Sequence, residues 1–119
     1  MMYYIKLVLV GIGLFCCSCN TCLHLTHKIN QVTDNKKYGL WIMKNDTNGI
    51  ITIMSYNNNL VVGRYTEYYE NGNIRTTGNY CNGKEVGVWK YYSPDGLLTS
   101  KRKYRKGEII VNKIYNISW

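Results

Sequence analysis

The sequence predicts an all-β protein, an elongated single-layer antiparallel sheet of successive β-hairpins. The first observation is a 24-residue repeat, in which Gly39, Gly63 and Gly87 follow one another at equal steps. A fixed period in this range indicates one supersecondary unit copied along the chain. The second observation is composition, because 12 Tyr and 3 Trp with no Ala favour strands over helices. An apolar signal helix is expected before the sheet.

The repeat region spans residues 38–111 and contains three units, 39–62, 63–86 and 87–110. Three units are the usual minimum for a stable array, because one hairpin cannot bury its apolar face alone. Six aromatic residues recur at the repeat step and are predicted to form one continuous apolar stripe. They are Trp41, Tyr65 and Trp89 in one column and Tyr56, Tyr80 and Tyr104 in the other.

The second unit carries the clearest hairpin signals. Glu70-Asn-Gly-Asn73 predicts the first turn, because Asn-Gly tolerates the positive φ that hairpin turns require. Ile74 to Tyr80 is the predicted returning strand, and Cys81-Asn-Gly-Lys84 turns the chain into the next hairpin. The third unit repeats the scheme with turns at Ser93–Gly96 and Arg105–Gly107, and the first has Asn48-Gly49 and Asn57–Asn59.

This pattern resembles the variant MORN repeat. It combines Gly-x-(Trp/Tyr), a Tyr pair, (Asn/Asp)-Gly, (Ile/Leu) and Tyr-x-x-Gly-Lys, and its best matches are Gly63–Val86 and Gly87–Ile110. The resemblance implies a curved sheet that serves as a scaffold for protein partners or as a lipid binder. Bacterial members are labelled antitoxins of the YwqK type. The first unit departs from the pattern, with Met43-Lys44 at the place of the Tyr pair.

The N-terminus predicts export. Residues 1–18 have one charge, Lys6, and an apolar run from Leu7 to Cys17, which is typical of a signal peptide. Ser18 before Cys19 supplies the small residue that signal peptidases require, and the segment resembles a bacterial lipoprotein signal. That resemblance implies a lipid on Cys19. An uncleaved signal anchor, a plain secretory signal and a cytosolic protein with an apolar start are the alternatives.

The segments beside the repeats are predicted to tether and cap them. Residues 19–37 are polar and aperiodic, so we expect a flexible tether there. Residues 111–119 begin a fourth unit, and residues 112–119 are expected to form a capping strand over the open edge of the sheet.

The cysteines and histidines do not predict a metal, cofactor or catalytic site. Cys19-Asn-Thr-Cys22, with His24 and His27 nearby, lacks the second half of a zinc site and the βαβ context of a redox motif. Cys22 and Cys81 could pair in an oxidising compartment. Both histidines lie in the tether, so no Ser-His-acid set can form in the repeats, and we expect a non-enzymatic protein.

A net charge of +8 favours anionic partners. The candidate surface is a basic cluster in the third unit, and its alternative explanation is an edge strand that lysines protect from pairing. The cluster comprises Lys101, Arg102, Lys103, Arg105 and Lys106. In a strand, Lys101, Lys103 and Arg105 share one face, whereas Arg102 and Lys106 share the other.

These observations favour a membrane-anchored binding or scaffold module of the bacterial cell envelope. Its expected partners are an unknown protein, the membrane through Cys19, and an anionic lipid or glycan surface; a homodimer is possible, and export disfavours nucleic acid. The alternative is an antitoxin-like protein that binds and neutralises a toxin.

Overall fold

The computed structural model describes residues 29–115, which form one open sheet of eight strands. The strands are β1 (Gln31–Thr33), β2 (Lys36–Lys44), β3 (Ile51–Asn57), β4 (Leu60–Tyr68), β5 (Ile74–Cys81), β6 (Lys84–Tyr92), β7 (Leu98–Arg105) and β8 (Glu108–Ile114). They lie in the order β1 to β8 and every neighbouring pair is antiparallel. The all-β prediction of successive hairpins is therefore confirmed. The predicted signal helix lies outside the described residues.

Two kinds of turn alternate along the sheet. The longer turns after β4 and β6 close with Gly72 N donating to Tyr69 O and Gly96 N donating to Ser93 O, both at 2.9 Å. The turn between β5 and β6 has two residues of positive φ, Asn82 at 47° and Gly83 at 77°. Such turns match the twist of the flanking strands, which explains the preference for Asn and Gly.

The two-residue turns are also bonded to the strand that precedes their own hairpin. Gly83 N donates to Val61 O at 2.8 Å, and Gly107 N donates to Glu85 O at 2.9 Å. The first unit has the equivalent bond from Asn59 N to Lys37 O at 3.1 Å. The same backbone hydrogen bond thus joins each of these turns to the strand that precedes its hairpin.

Glycines of positive φ interrupt the ladder once in each unit. Gly63 and Gly87 have φ of 71° and 70°, and they lie where the register shifts between Ile53 and Ser55 and between Thr77 and Asn79. Glycine suits such a β-bulge because a residue with a Cβ is strained at positive φ. The fourth unit has Val111 in this column.

The sheet has two distinct faces. One, the aromatic face, carries Trp41, Tyr65 and Trp89, and the other, the lysine face, carries Lys90, Lys101 and Lys103, as the register shows. The buried apolar side chains of the described residues are Met54, Val62 and Trp89. Within residues 29–115 no second layer covers the sheet, so most of the described side chains stay in contact with solvent.

Both ends of the sheet differ from the sequence prediction. β1 pairs with β2 inside residues 19–37, so part of the predicted tether belongs to the sheet. Asn30 secures that edge, since its Oδ1 accepts from Ile42 N at 2.9 Å. At the other end, the edge strand is β8, which begins at Glu108 rather than within the predicted cap of residues 112–119. Residues 116–119 lie outside the described part.

Candidate functional site

The predicted aromatic stripe lies on one face but is not continuous. Tyr65, Tyr80, Trp89 and Tyr104 form one ring cluster. Trp89 is at its centre, with ring centroids 5.3 Å from Tyr65, 5.0 Å from Tyr80 and 5.9 Å from Tyr104. The pairs with Tyr80 and Tyr104 are edge to face and the pair with Tyr65 is tilted, and edge-to-face pairs contribute about 0.5–1.5 kcal/mol each beyond burial. This ring cluster makes the second and third units one packed body.

Gly78 is the reason that Trp89 can lie flat in the sheet. A Cβ at Gly78 would overlap the Trp89 indole, so only glycine leaves room for the ring. Trp89 is consequently 4% exposed. The contact between the Trp89 ring and the Gly78 backbone therefore holds Trp89 at the centre of the ring cluster.

The stripe is interrupted between the first and second units. Trp41 and Tyr56 pair edge to face at 5.7 Å, and within residues 29–115 no ring contact joins this pair to Tyr65. Met54 occupies the position equivalent to Gly78, and its side chain fills the space that a ring would need. The expectation of one unbroken stripe was therefore wrong at this point.

Burial raises the pKa of two tyrosines on this face. The pKa of Tyr80 rises to about 12 through burial and the nearby Glu85 carboxylate. Burial and a hydrogen bond with Tyr104 raise the pKa of Tyr91 to about 12. Both hydroxyls therefore remain protonated donors at neutral pH.

The structure divides the predicted basic cluster between different surfaces. Lys101 and Lys103 lie on the lysine face. Arg102 lies on the aromatic face, with its Cζ 4.9 Å from the centroid of the Tyr91 ring. Arg105 is opposite Glu108 across the ladder, and Lys106 lies in the turn with φ of 52° rather than in a strand. The five residues therefore do not form one surface.

The lysine face instead brings together three lysines in a row. Lys90 is the direct cross-strand neighbour of Lys101, and Lys101 is the direct neighbour of Lys113. The sequence reasoning missed Lys90 and Lys113 because they lie outside the basic run. We call these three residues the lysine row.

The repeat itself contains a signal that could have found the row. The pair Lys90–Lys101 corresponds, at the 24-residue step, to Thr66–Thr77 and to Ile42–Ile53. The same cross-strand position is thus apolar in the first unit, hydroxylated in the second and basic in the third. This change along the array indicates that the face differs in character from one end to the other.

Lys113 joins the row because β8 changes register. In the repeat, Lys113 belongs to the tryptophan column, yet it pairs with Lys101 on the lysine face. Strand β8 has a one-residue shift at Lys103/Tyr104, whereas the glycine bulges of the second and third units insert two residues. A shift of one residue moves every later side chain to the opposite face. Val111, a β-branched residue in the glycine column, disfavours the positive φ of the usual bulge.

The row is not neutralised by the side chains that the structure describes. In residues 29–115 the one ion pair joins Arg75 and Glu67. Lys101 Nζ lies 5.8 Å from the centroid of the Tyr115 ring, and Val88 and Val111 are 47% and 43% exposed beside it. Three adjacent lysines with apolar neighbours form a surface suited to anions, although like charges in opposite positions destabilise a sheet.

The cysteine predictions fall mainly outside residues 29–115. Cys19 lies outside the described residues. The Cys81 side chain is engaged in a disulfide, and Cys22 lies outside the described residues. In the described range no group of three potential metal ligands occurs, and no helix there has the length and hydropathy needed to cross a membrane.

Comparison of the chain with protein-family models, with curated proteins and with solved structures finds no match.

Proposed function

We propose that this protein is a non-enzymatic binding module, anchored to the membrane of a bacterial cell envelope through Cys19, whose lysine face binds an anionic surface. The observation that carries the proposal is the lysine row, with three cations on neighbouring strands and no described carboxylate paired with them. The membrane anchor rests on the lipoprotein-like N-terminus, and the scaffold role on the resemblance to the MORN repeat.

Protection of the sheet edge explains the row less well than anion binding. Lysines that block edge pairing belong on an edge strand. Only Lys113 lies on the edge strand β8, whereas Lys101 and Lys90 lie on the interior strands β7 and β6. Their repulsion costs stability at positions where the second unit has threonines, which favours a ligand that offsets the cost.

The proposal is tested with vesicles that contain anionic phospholipid. The variant Lys90→Thr/Lys101→Thr/Lys113→Thr removes the row and uses the residue type of the second unit. At about 1 kcal/mol per lysine near an anionic membrane, we expect roughly 100-fold weaker binding at low salt. Binding is measured by co-sedimentation, with zwitterionic vesicles as the lipid control.

The matched control removes the same charge elsewhere. Lys36, Lys44 and Lys84 are exposed, and the variant that replaces all three with threonine has the same net charge as the row variant. It should retain most of the binding. Equal losses in the two triple variants would show that binding depends on net charge alone and would reject the row as a site.

The anchor is tested separately by fractionation and intact mass. A mature chain beginning at Cys19, with acyl mass that disappears in Cys19→Ser, is the expected result. A soluble full-length chain would reject the anchor, and the search for partners would then begin in the cytosol with the antitoxin alternative.

A further inference from the structure

A groove of about 420 Å³ lies on the aromatic face, opposite the lysine row. Its lining combines aromatic rings with hydroxyl, carboxylate and guanidinium groups. The residues that matter here are Tyr65, Glu67, Arg75, Thr76, Trp89 and Tyr91. The volume is within the range of small-molecule sites, roughly 300–1,000 Å³, which usually have apolar walls and a few convergent polar groups.

The polar part of the groove is an ion pair that is neutral as a whole. Glu67 accepts from Tyr65 Oη at 2.7 Å through Oε1 and from Arg75 Nη1 at 2.9 Å through Oε2. The Glu67 side chain is 17% exposed, and that of Arg75 is 42% exposed. Burial, followed by the effect of Glu67, raises the pKa of Tyr65, so its hydroxyl stays a donor.

Trp89 contributes the surface of its ring to the groove. The residue is 4% exposed, and its Nε1 is buried without a hydrogen bond to any described residue, so this atom does not face a ligand in the groove. The wall that Trp89 provides is therefore apolar.

We infer that this groove binds a neutral sugar ring. An anion would face the Glu67 carboxylate and a cation would face the Arg75 guanidinium, so a neutral ligand complements the pair. A wholly apolar ligand would desolvate both charges without replacing their hydrogen bonds to water. A pyranose meets both demands, since its C–H faces pack on Tyr65 and Tyr91 while its hydroxyls bond to Glu67 and Arg75.

The described part of the first unit does not repeat the ion pair of the groove. Met43 stands at the position of Glu67, and the Lys37 ammonium covers both rings of the Trp41–Tyr56 pair at 4.7 and 5.0 Å from their centroids. This region is an internal control, because it has aromatic rings without the ion pair.

The experiment is an NMR titration of the full chain with three neutral disaccharides, maltose, cellobiose and chitobiose. We expect at least one to give saturable shifts with a dissociation constant of about 1 mM, confined to the amides around Glu67, Thr76 and Tyr91. The amides of Trp41 and Lys101 should not move. Absence of saturable shifts with all three sugars, or shifts centred on Trp41, would overturn the inference.

Two variants establish the contacts. Glu67→Gln keeps the shape of the side chain and should weaken binding at least about tenfold, because hydrogen bonds to charged groups are the stronger ones. Tyr91→Leu removes one wall and should also weaken binding. The row variant Lys90→Thr/Lys101→Thr/Lys113→Thr is the control and should bind sugar normally.

Testing each variant in both the sugar titration and the vesicle assay distinguishes the sugar site from the proposed binding to anionic surfaces. Glu67→Gln should bind anionic vesicles as the unmodified protein does. Thermal melts exclude unfolding as the cause of any loss. If folded Glu67→Gln and Tyr91→Leu both retain sugar affinity, the groove is not the site. Failure of vesicle binding alone would leave the sugar site intact.

Discussion

The first unit and the third place the same repeat residue, a tryptophan, in two different environments. Trp41 is half-buried, and its Nε1 donates to Tyr38 O at 3.1 Å. Trp89 is 4% exposed, and its Nε1 has no partner among the described residues. The Trp41 Nε1 is hydrogen-bonded, and its ring lies outside the ring cluster. The Trp89 ring is the centre of that cluster, and its Nε1 makes no hydrogen bond to a described residue.

The difference arises on the neighbouring strand. Gly78 leaves space against the backbone for Trp89, whereas the corresponding neighbour of Trp41, two repeat steps earlier, is Asn30, whose Oδ1 accepts from Ile42 N. Packing in this array is therefore decided by the residue beneath the ring as much as by the ring. Equivalent columns in a repeat do not guarantee equivalent roles.

Removal of the two tryptophans is the strongest test of this comparison. Trp89→Ala should cost about 3–5 kcal/mol of unfolding free energy, the usual range for a buried aromatic residue. Trp41→Ala should cost about 1–2 kcal/mol, because much of its area is already in water. Urea unfolding followed by far-UV circular dichroism measures both, and equal losses would contradict the ranking.

A methyl group at Gly78 tests the space under the ring. Gly78→Ala should destabilise the sheet by about 1–3 kcal/mol, since the new Cβ overlaps the Trp89 indole. Thr77→Ala, one residue away on the lysine face, is the control and should cost less than about 1 kcal/mol. A stable Gly78→Ala variant with an unchanged Trp89 environment would show that the contact is not tight.

The contrast between the second and third units is tested by replacing Lys90 and Lys101 with threonine, the residue at both equivalent positions of the second unit. Lys90→Thr/Lys101→Thr removes two repulsive cross-strand pairs, Lys90–Lys101 and Lys101–Lys113, and should raise stability by about 0.2–1 kcal/mol per pair. The gain should shrink as salt screens the charges. Lys44→Thr/Lys84→Thr is the control, because those lysines face Ile51 and Cys81, and a similar gain there would argue against pairwise repulsion.

At neutral pH the smallest expected effect is that of Tyr80, whose contribution to stability changes only above about pH 10. Its pKa is about 12 in the folded chain and has an ordinary value of 10.0. The neutral phenol is favoured by folding, so its contribution is complete below pH 10 and is lost as pH rises toward about 12. Unfolding free energy should fall less steeply over that range in Tyr80→Phe. An identical slope in the two proteins would exclude Tyr80.

Local chemistry made the hairpins and their turns predictable. Asn-Gly and similar pairs predict the positions of the turns, and the spacing of Gly63 and Gly87 predicts the length of the unit. Because successive strands are joined by these short turns, the order of the strands from β2 to β7 follows from the sequence. β1 escaped prediction because Gln31–Thr33 has no aromatic or alternating pattern. Its place in the sheet depends on pairing with β2.

The site was less predictable because faces depend on register. Lys101 and Lys103 can be assigned to one face by counting along a strand. Lys90 and Lys113 join them only through cross-strand pairing, and Lys113 also requires the one-residue shift of β8. The replacement of the column glycine by Val111 was the available clue. The sequence contained no clue to the Glu67–Arg75 pair, because that pair depends on how the strands meet at the register shift between Glu67 and Tyr68.

The backbone bonds of the two-residue turns rank the hairpins by their position in the array. Gly107 N bonds to Glu85 O, Gly83 N bonds to Val61 O, and Asn59 N bonds to Lys37 O. Removing β2 breaks the bond at Asn59, and opening the β7–β8 hairpin breaks the bond at Gly107, whereas the bond at Gly83 persists in both cases. Under mechanical tension, the sheet should therefore unzip stepwise from its ends, and the bond at Gly83 should be the last of the three to break.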